Sequence, residues 1–280
     1  MSRLLFTGER LHEGSALFGV DLMRHRAAYA FAIETARREG SRAVLDLGCG
    51  TGYGTAELAG ALPDVYAIDR ISPNADARHP RARFVRADLN GMPLRDGCFD
   101  LIVSFQVIEH LEDPSHYLDT IARTLRPGGV ALITTPNLLE SDRENPFHVH
   151  EYAPEELARC LDGYFEDVEM LGVTATAEPM AYYEARLRRI RTIVRVDPLG
   201  LRRRLPRGLI DWLFGRLAVL VRRGIADTDS LMQVGLDDFP IVPVVDNCLD
   251  LLAVCRRPRV GVGVGVGEAP VDRADTRSDG

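Results

Sequence analysis

The sequence predicts an α/β protein with a seven-stranded, mostly parallel sheet, helices on both faces and a helical insertion late in the chain. From residue 42 onward, short apolar segments rich in β-branched residues alternate with stretches of helix-forming residues, as expected for strand–helix units of a parallel sheet. The chain has 280 residues, of which 46% are hydrophobic and 27% charged. This composition is ordinary for a domain with a full core, and it excludes disorder over the whole length.

The individual elements follow from local signals. Residues 20–38 contain good helix formers and end before Gly40, and the helix predicted at 115–125 stops at the Arg-Pro-Gly-Gly sequence of 126–129. The helix at 154–161 begins with a proline followed by two glutamates, which suit a helix N-terminus. A further helix is predicted at 54–62. The predicted strands are 43–47, 65–68, 82–87, 100–105, 130–135, 165–173 and 248–256.

The order of these elements divides the chain into five parts. If the last two predicted strands pair with each other, the residues between them form an insertion. From residue 261 the sequence becomes a Gly-Val repeat followed by polar residues, which predicts disorder. The parts are an N-terminal cap and helix (1–41), the core (42–174), a basic amphipathic helical insertion (175–245), the last core strand (246–258) and a disordered tail (259–280).

Charge and cysteine usage bear on the cellular compartment expected for the protein. All 34 basic residues are Arg, and the net charge is −7. Residues 181–225 contain 12 Arg and three acidic residues, a local charge of +9, so the rest of the chain carries −16. The five cysteines are widely spaced without a C-x-x-C pair, which indicates reduced thiols. With no signal peptide or membrane span recognised, we predict a cytoplasmic protein, and association with a membrane surface stays an open alternative.

The most informative stretch is VLDLGCGTGYGT at 44–55. It places Asp46 inside a strand and Gly48, Gly50 and Gly52 directly after it, where the backbone must turn sharply and approach a ligand closely. The spacing does not fit the dinucleotide fingerprint G-x-G-x-x-G, because a tyrosine or a threonine occupies the position of the third glycine. The pattern D-x-G-x-G-x-G instead resembles the class I S-adenosylmethionine (SAM) methyltransferases.

Further segments, in the same order, extend this resemblance over residues 42–174 and again at the last strand. It implies a Rossmann-like fold with an antiparallel last strand, SAM as cofactor, and Asp46 and the three glycines as binding residues. Asp69, at the end of a strand, is expected to bind the ribose hydroxyls, because one carboxylate can accept from both hydroxyls of a vicinal diol. Asp88 and Leu89 are expected at the adenine edge, and Gln106 at the cofactor. Prolines between Asp69 and the next strand limit the usual helix there to about one turn.

Candidate bases for removing the acceptor's proton follow the fourth and fifth strands, and they are Glu109, His110, His148 and His150. Glu109, His110 and His148 also resemble the metal-binding residues of two subgroups, the ubiquinone-pathway O-methyltransferases and the small-RNA 3′-end 2′-O-methyltransferases. Gln106 stands where those subgroups have a further glutamate, and losing a carboxylate ligand weakens such a site, so a divalent metal is the less favoured expectation. The alternative for His110 is a capping or packing role.

The N-terminal segment, with FTGERLHEG at 6–14 and RHRAAYAFA at 24–32, resembles the leader of bacterial small-molecule and glycan-locus methyltransferases. This implies that Arg10 and Tyr29 line the cofactor or substrate pocket, and an exposed cap is the alternative.

Three interpretations of the basic insertion remain open. In 181–195, Tyr183, Leu187, Ile190 and Val194 recur at helical spacing and give one apolar face opposite Arg. The segment is either a lid over the acceptor pocket or, through 181–223, a peripheral membrane contact; nucleic-acid binding is disfavoured because the rest of the chain is acidic. The predicted function is O-methylation of a small molecule, sugar or lipid-linked glycan. The alternatives are an RNA 2′-O-methyltransferase and a SAM-binding module without catalysis.

Overall fold

A computed structural model of the protein describes residues 19–89, 92–141, 143, 145, 147–195, 233–244 and 247–259. The helices are α1 (Gly19–Glu39), α2 (Tyr53–Ala61), α3 (Ser115–Thr124), α4 (Pro154–Asp162) and α5 (Ala177–Arg195). The strands are β1 (Ala43–Leu47), β2 (Asp64–Asp69), β3 (Ala82–Arg86), β4 (Phe99–Phe105), β5 (Leu125–Pro136), β6 (Phe165–Val173), β7 (Ile241–Pro243) and β8 (Asp250–Pro258). All seven predicted strands form, and four predicted helices agree with α1 to α4 within about two residues.

The strands form one sheet in the order β3-β2-β1-β4-β5-β8-β6-β7. Strands β1 to β5 pair in parallel, whereas β8 is antiparallel to both β5 and β6. This confirms the predicted mostly parallel α/β fold and the antiparallel last strand. The order reverses direction at β1 and β4, so the crevice at the carboxyl ends of these two strands is where such a sheet binds its ligands.

The structure adds an eighth strand, β7, inside the segment predicted as an insertion. Its three residues pair antiparallel with the end of β6, and Val242 lies opposite Gly172. Prolines at 240 and 243 bound the strand, so it is too short to show an alternating pattern in the sequence. Residues 196–232 of the predicted insertion and 260–280 of the predicted tail lie outside the described residues.

Two buried clusters cover the two faces of the sheet. One contains Tyr117 and Ile121 of α3 and residues of α4, and the other contains Ala32 of α1 and Leu58 of α2. Between β2 and β3 the usual helix is reduced to the 3₁₀ turn Ala75–Ala77, as the prolines predicted.

The first two turns of α1 pack against α5 in a third cluster. Buried members include Val20 of α1, Tyr182 and Tyr183 of α5, and Phe239 from the turn before β7. We call this the α1–α5 cluster. It fixes the start of the predicted insertion against the core.

Candidate active site

The glycine-rich loop begins where β1 ends. Gly48, Gly50 and Gly52 all have positive φ, at 83°, 54° and 92°. A Cβ on Gly48 would approach Cγ2 of Val107 to 2.4 Å, and one on Gly52 would approach Cβ of Pro73 to 2.8 Å. Nothing lies within 4 Å of a Cβ placed on Gly50, as far as the described residues go. The loop is thus held at both ends and presents the backbone of Gly50 to open space, immediately before the N-terminus of α2.

Asp46 lies beneath this loop and is fully buried. Its carboxylate accepts hydrogen bonds from Thr55 Oγ1 at 2.5 Å and from the Tyr29 hydroxyl at 3.4 Å. Burial raises the pKa of the Asp46 carboxyl to about 7, although these two hydrogen bonds oppose the rise. Asp46 therefore supports α2 and α1 from below the loop, and its predicted direct contact with the cofactor stays a prediction.

Asp69 ends β2 beside the loop. Its Oδ2 accepts from the Gly50 N–H at 2.8 Å and its Oδ1 from the Ile71 N–H at 2.9 Å. Each carboxylate oxygen has a second lone pair, so the side chain can accept from two further donors. The structure brings Asp69 and Gly50 together, in an arrangement suited to a ligand carrying two adjacent hydroxyl groups.

The other predicted cofactor residues lie at the same edge of the sheet. Asp88 and Leu89 follow β3; Asp88 is exposed, and Leu89 packs against the core. Gln106 directly follows β4 with a φ of 57°, its backbone N–H donates to the Thr134 carbonyl at 3.0 Å, and its Nε2 donates to Thr134 Oγ1 at 3.5 Å. A positive φ at a residue other than glycine marks a constrained position, and here it lies in the crevice.

Helix α1 closes one side of the crevice. The ring of Tyr29 is buried and packs so closely on α2 that a Cβ on Gly54 would lie 2.0 Å from it. His25 Nδ1 lies 3.1 Å from the Tyr53 hydroxyl, and burial followed by the charge of Arg24 lowers the pKa of His25 to about 3. His25 is therefore neutral. The exposed-cap alternative is wrong for Tyr29, whereas Arg10 lies outside the described residues.

Sequence reasoning missed a buried ionic group between α1 and β8. Arg24 donates to Asp250 Oδ1 at 3.0 Å, and Asp250 is the first residue of β8, opposite Pro136. Burial raises the pKa of Asp250, while Arg24 and a hydrogen bond from Gln106 oppose the rise. Arg24 thus connects α1 to the residues that follow β4 and β5. An aspartate within the otherwise apolar segment CLDLLAVC was the available signal.

Three predicted side chains come together next to this group. One ligand-type atom from each of Glu109, His110 and His148 lies within 4.8 Å of the others. Glu109 is fully buried; Thr135 Oγ1 donates to its Oε2 at 3.1 Å, and its Oε1 has no hydrogen-bond partner in the described part of the chain. Burial raises the pKa of Glu109, and the charges of the two histidines lower it. His110 Nδ1 lies 2.9 Å from the Phe147 carbonyl oxygen.

His150 does not join this group. Its Nε2 contacts Glu156 Oε1 at 2.8 Å, at the start of α4, and its ring packs edge-on against Tyr152. Nearly half of its side chain is exposed, against 15% for His148. The structure thus separates the two histidines, which the sequence offered as equivalent candidate bases.

Comparisons with known proteins agree with this architecture. A family model described as a methyltransferase domain matches residues 45–133. A protein of Mycolicibacterium smegmatis, named as a probable SAM-dependent methyltransferase, is 33% identical over 279 residues, covering 92% of this chain and 96% of that protein. The chain belongs to the SAM-dependent methyltransferases.

Other relatives of this methyltransferase cover less of the chain. A probable SAM-dependent methyltransferase of Mycobacterium tuberculosis is 36% identical over 179 residues, which are 61% of this chain and 64% of that one. The ubiquinone biosynthesis O-methyltransferase of Caulobacter vibrioides is 33% identical over 102 residues, 34% of this chain and 40% of that one. A solved SAM-dependent methyltransferase of Thermotoga maritima, described as a possible histamine N-methyltransferase, superposes with a TM-score of 0.54 at 15% identity, covering 90% of this chain and 98% of that one. The last comparison shows the shared fold.

The loop of this methyltransferase fits the cofactor that its family uses. Gly50 presents open backbone, and Asp69 can accept from two hydroxyl groups, as the ribose of SAM requires. Among the described residues, no helix combines the length and the apolar character needed to cross a bilayer. The predicted family, fold and enzyme class are confirmed.

Glu109, His110 and His148 meet only part of what a metal needs. Two imidazoles and one carboxylate suit borderline transition metals, and Glu109 Oε1 is buried without a partner among the described residues. However, both nitrogens of His148 are engaged, Nδ1 with Glu151 Oε1 at 2.6 Å and Nε2 with Asn145 Nδ2 at 2.7 Å. A cation bound here through His148 Nε2 must displace the Asn145 amide.

Proposed function

We propose that this methyltransferase transfers the methyl group of SAM to a hydroxyl oxygen of a small-molecule, sugar or lipid-linked acceptor. The observation that carries the proposal is the imidazole of His148, which is held by a buried carboxylate at the crevice. The backbone N–H of the next residue, Val149, donates to the carbonyl oxygen of Glu109 at 2.8 Å, just after the carboxyl end of β4. The imidazole therefore belongs to the edge of the sheet where the cofactor loop lies. A hydroxyl needs a proton acceptor during methyl transfer, and His148 supplies one.

The chemistry needs little beyond alignment and one proton transfer. SAM supplies a methyl group already activated on a sulfonium. The acceptor oxygen attacks that carbon in line, the carbon–sulfur bond breaks, and S-adenosylhomocysteine leaves as a neutral thioether. The hydroxyl proton passes to His148 Nε2. Asp69 and the glycine loop orient the donor, and holding two reactants in attack geometry supplies most of the rate gain in reactions of this kind.

Two exposed apolar side chains support an acceptor with an apolar part. Leu139 is 54% exposed and Val149 is 55% exposed, and both lie on the segment between β5 and α4 that carries His148. The name of the Caulobacter relative, an O-methyltransferase of ubiquinone biosynthesis, also favours oxygen. The likeness to the Thermotoga protein shows the fold alone and gives no support to an amine acceptor.

The packing of α5 supports a lid as the role of the first part of the basic segment. Tyr182 and Tyr183 are buried in the α1–α5 cluster, whereas Arg188 and Arg189 are exposed. A peripheral membrane contact through the rest of 181–223 stays part of the proposal, as a way to reach a lipid-linked acceptor. Localisation in the cytoplasm is likewise proposed.

The test is a screen for S-adenosylhomocysteine formation with a panel of methyl glycosides, phenols, polyprenyl-phosphate sugars, aliphatic amines and a short RNA. We expect turnover with one hydroxylated class. His148→Ala should lower turnover about 10²–10⁴-fold while leaving the dissociation constant of SAM unchanged, and His150→Ala is the matched control that should retain turnover. Turnover confined to amines contradicts the oxygen assignment, and turnover of RNA that falls steeply with salt favours the nucleic-acid alternative. SAM binding without turnover of any acceptor favours the non-catalytic alternative.

A second candidate adds a divalent transition-metal ion at Glu109, His110 and His148. Its specific support is the buried Glu109 Oε1 that has no partner in the described residues. A bound ion would lower the pKa of the acceptor hydroxyl and assist its deprotonation. Equilibrium dialysis against Zn²⁺ and Mn²⁺ should then give one bound ion per chain, lost in Glu109→Gln. Stoichiometric binding abolished by that variant, together with loss of turnover in chelator, favours this candidate over His148 acting as a base.

A further inference from the structure

The imidazole of His148 is held from both sides. Nδ1 lies 2.6 Å from Glu151 Oε1, and Nε2 lies 2.7 Å from Asn145 Nδ2. The orientation of the Asn145 amide follows from its other contact, because its Oδ1 accepts from the Phe147 backbone N–H at 3.1 Å. The amide nitrogen, a donor, must therefore face His148.

This arrangement selects one tautomer of the neutral ring. A nitrogen that faces an amide N–H must accept, so His148 Nε2 carries the lone pair. The proton then resides on Nδ1 and is donated to Glu151. A carboxylate that accepts from Nδ1 in this way orients an imidazole and stabilises the cation that forms when Nε2 takes a proton.

Glu151 suits this role because its carboxyl group contacts Nδ1 directly and is almost enclosed. Its side chain is only 7% exposed. The loop that carries both residues is tied to the end of β4, because the Glu109 carbonyl oxygen accepts from the Val149 N–H at 2.8 Å and the His150 N–H at 3.1 Å.

We propose that Glu151 is a positioning residue for methyl transfer, which fixes His148 as the Nδ1–H tautomer and directs the Nε2 lone pair toward the acceptor. Asn145 Nδ2 occupies the place that a hydrogen-bond-donating hydroxyl of the acceptor takes. The proposal rests on the proposed function for its catalytic part, whereas the tautomer is a property of the protein without acceptor.

The first experiment measures the tautomer in the full chain without acceptor. Protein labelled with ¹⁵N-histidine gives separate imidazole nitrogen resonances, and His148 is assigned by their loss in His148→Ala. We expect a protonated Nδ1 and an unprotonated Nε2 in the wild type and in Asn145→Ala, and a change toward Nε2–H when Glu151→Ala is combined with Asn145→Ala, because the Asn145 amide alone also keeps Nε2 as an acceptor. Glu151→Gln, whose amide oxygen can still accept from Nδ1, should retain the wild-type tautomer.

The matched control is Glu156→Ala. Glu156 forms the corresponding contact with His150 in the same loop and also accepts from the Ala153 N–H at 3.5 Å, at the start of α4. This variant should lose stability without changing the His148 resonances. An Nε2–H tautomer in the wild type, or an unchanged tautomer when Glu151→Ala is combined with Asn145→Ala, overturns the proposal.

The second experiment is a double-mutant cycle with the panel member that the wild type methylates. Glu151→Ala should lower kcat by about 10-fold or more with the KM for SAM unchanged, and should cause no further loss in a His148→Ala background, because it acts through His148. An equal loss in both backgrounds shows a purely structural role and overturns the positioning. A correct tautomer without turnover of any panel member contradicts the proposed function and supports the positioning geometry.

Discussion

Replacing Asp46 by Asn should change the pH dependence of stability in a way that isolates one buried carboxyl. Burial raises the pKa of Asp46 to about 7 in the folded protein from an ordinary value of 3.8. The favourable contribution of the protonated group is complete below pH 3.8 and is lost as the pH rises through 7, because the unfolded chain then ionises more readily. The wild type should therefore lose stability relative to Asp46→Asn as the pH rises.

The size of this effect follows from the same values. Each pH unit between the two pKa values contributes about 1.36 kcal/mol, so the whole interval contributes about 4 kcal/mol. About two units of that interval lie above pH 5, so the difference in unfolding free energy between variant and wild type should grow by about 3 kcal/mol from pH 5 to pH 8. Asparagine keeps one acceptor for the hydroxyls of Thr55 and Tyr29, and either hydroxyl can accept from the new amide, so the effect at low pH should be small.

Urea unfolding of both proteins at each pH from 5 to 9 gives the two free-energy curves. Asp100→Asn is the control whose difference from the wild type should stay constant from pH 5 to pH 9. Burial of Asp100 is outweighed by hydrogen bonds from the Ala43 N–H and Arg126, so its pKa is lowered, and its stabilisation is present at neutral pH and lost on acidification. A difference between Asp46→Asn and the wild type that stays constant from pH 5 to pH 9 would refute the assignment of this pKa to burial beneath the loop.

Three further changes test the loop and the α1–α5 contact. Gly48→Ala should destabilise the fold by about 2–4 kcal/mol, because the new side chain would sit at a positive φ and overlap Val107. The same variant should bind SAM more weakly in calorimetry. A stable variant with normal affinity contradicts the tight packing of the loop. Asp69→Ala should weaken SAM binding about 10²-fold, measured by the same method, because it removes the carboxyl oxygens that accept from the ribose, and an unchanged affinity excludes this role. Asp21→Ala should lower the free energy of unfolding by about 3–5 kcal/mol, because the buried groups that contact its carboxylate, among them the Tyr183 hydroxyl, lose their partner. Tyr183→Phe, which removes only that hydroxyl, should lower it by about 1 kcal/mol. Equal losses in the two variants would show that the carboxylate is unimportant.

The core of the fold was predictable because each of its strands shows its own local signal. The segments at 43–47, 100–105 and 130–135 are apolar and β-branched, as buried parallel strands must be. Strand β7 was not predicted, because its three residues are bounded by prolines and are too few to show an alternating pattern. Only its pairing with β6 makes it a strand. The prolines after Asp69 correctly predicted that the helix between β2 and β3 is reduced to a short turn, because proline restricts the backbone of its own neighbourhood.

The sequence predicted which residue types form the site, but not which side chains contact one another. The position of 145–157 after the fifth strand indicated His148 and His150 as candidate bases, and as bases the two are equivalent in the sequence. Their separation depends on which carboxylate each one meets, Glu151 or Glu156, and on the burial of one pair. The contact of Arg24 with a strand more than 200 residues later likewise required the sheet order, which places the start of β8 against the end of β5.

The α1–α5 cluster changes the interpretation of the basic segment, because the start of that segment packs against α1. Asp21 accepts from Arg186 at 3.1 Å and from the Tyr183 hydroxyl at 3.1 Å, so the first arginine of the segment neutralises a buried acid rather than facing a ligand. Arg188 is exposed and pairs with Glu184 at 3.3 Å, an exposed contact worth less than about 1 kcal/mol. The same helix α1 holds Tyr29 against the cofactor loop. In the described part of α5, the arginines that face solvent therefore begin at Arg188, beyond the contact that Arg186 makes with α1.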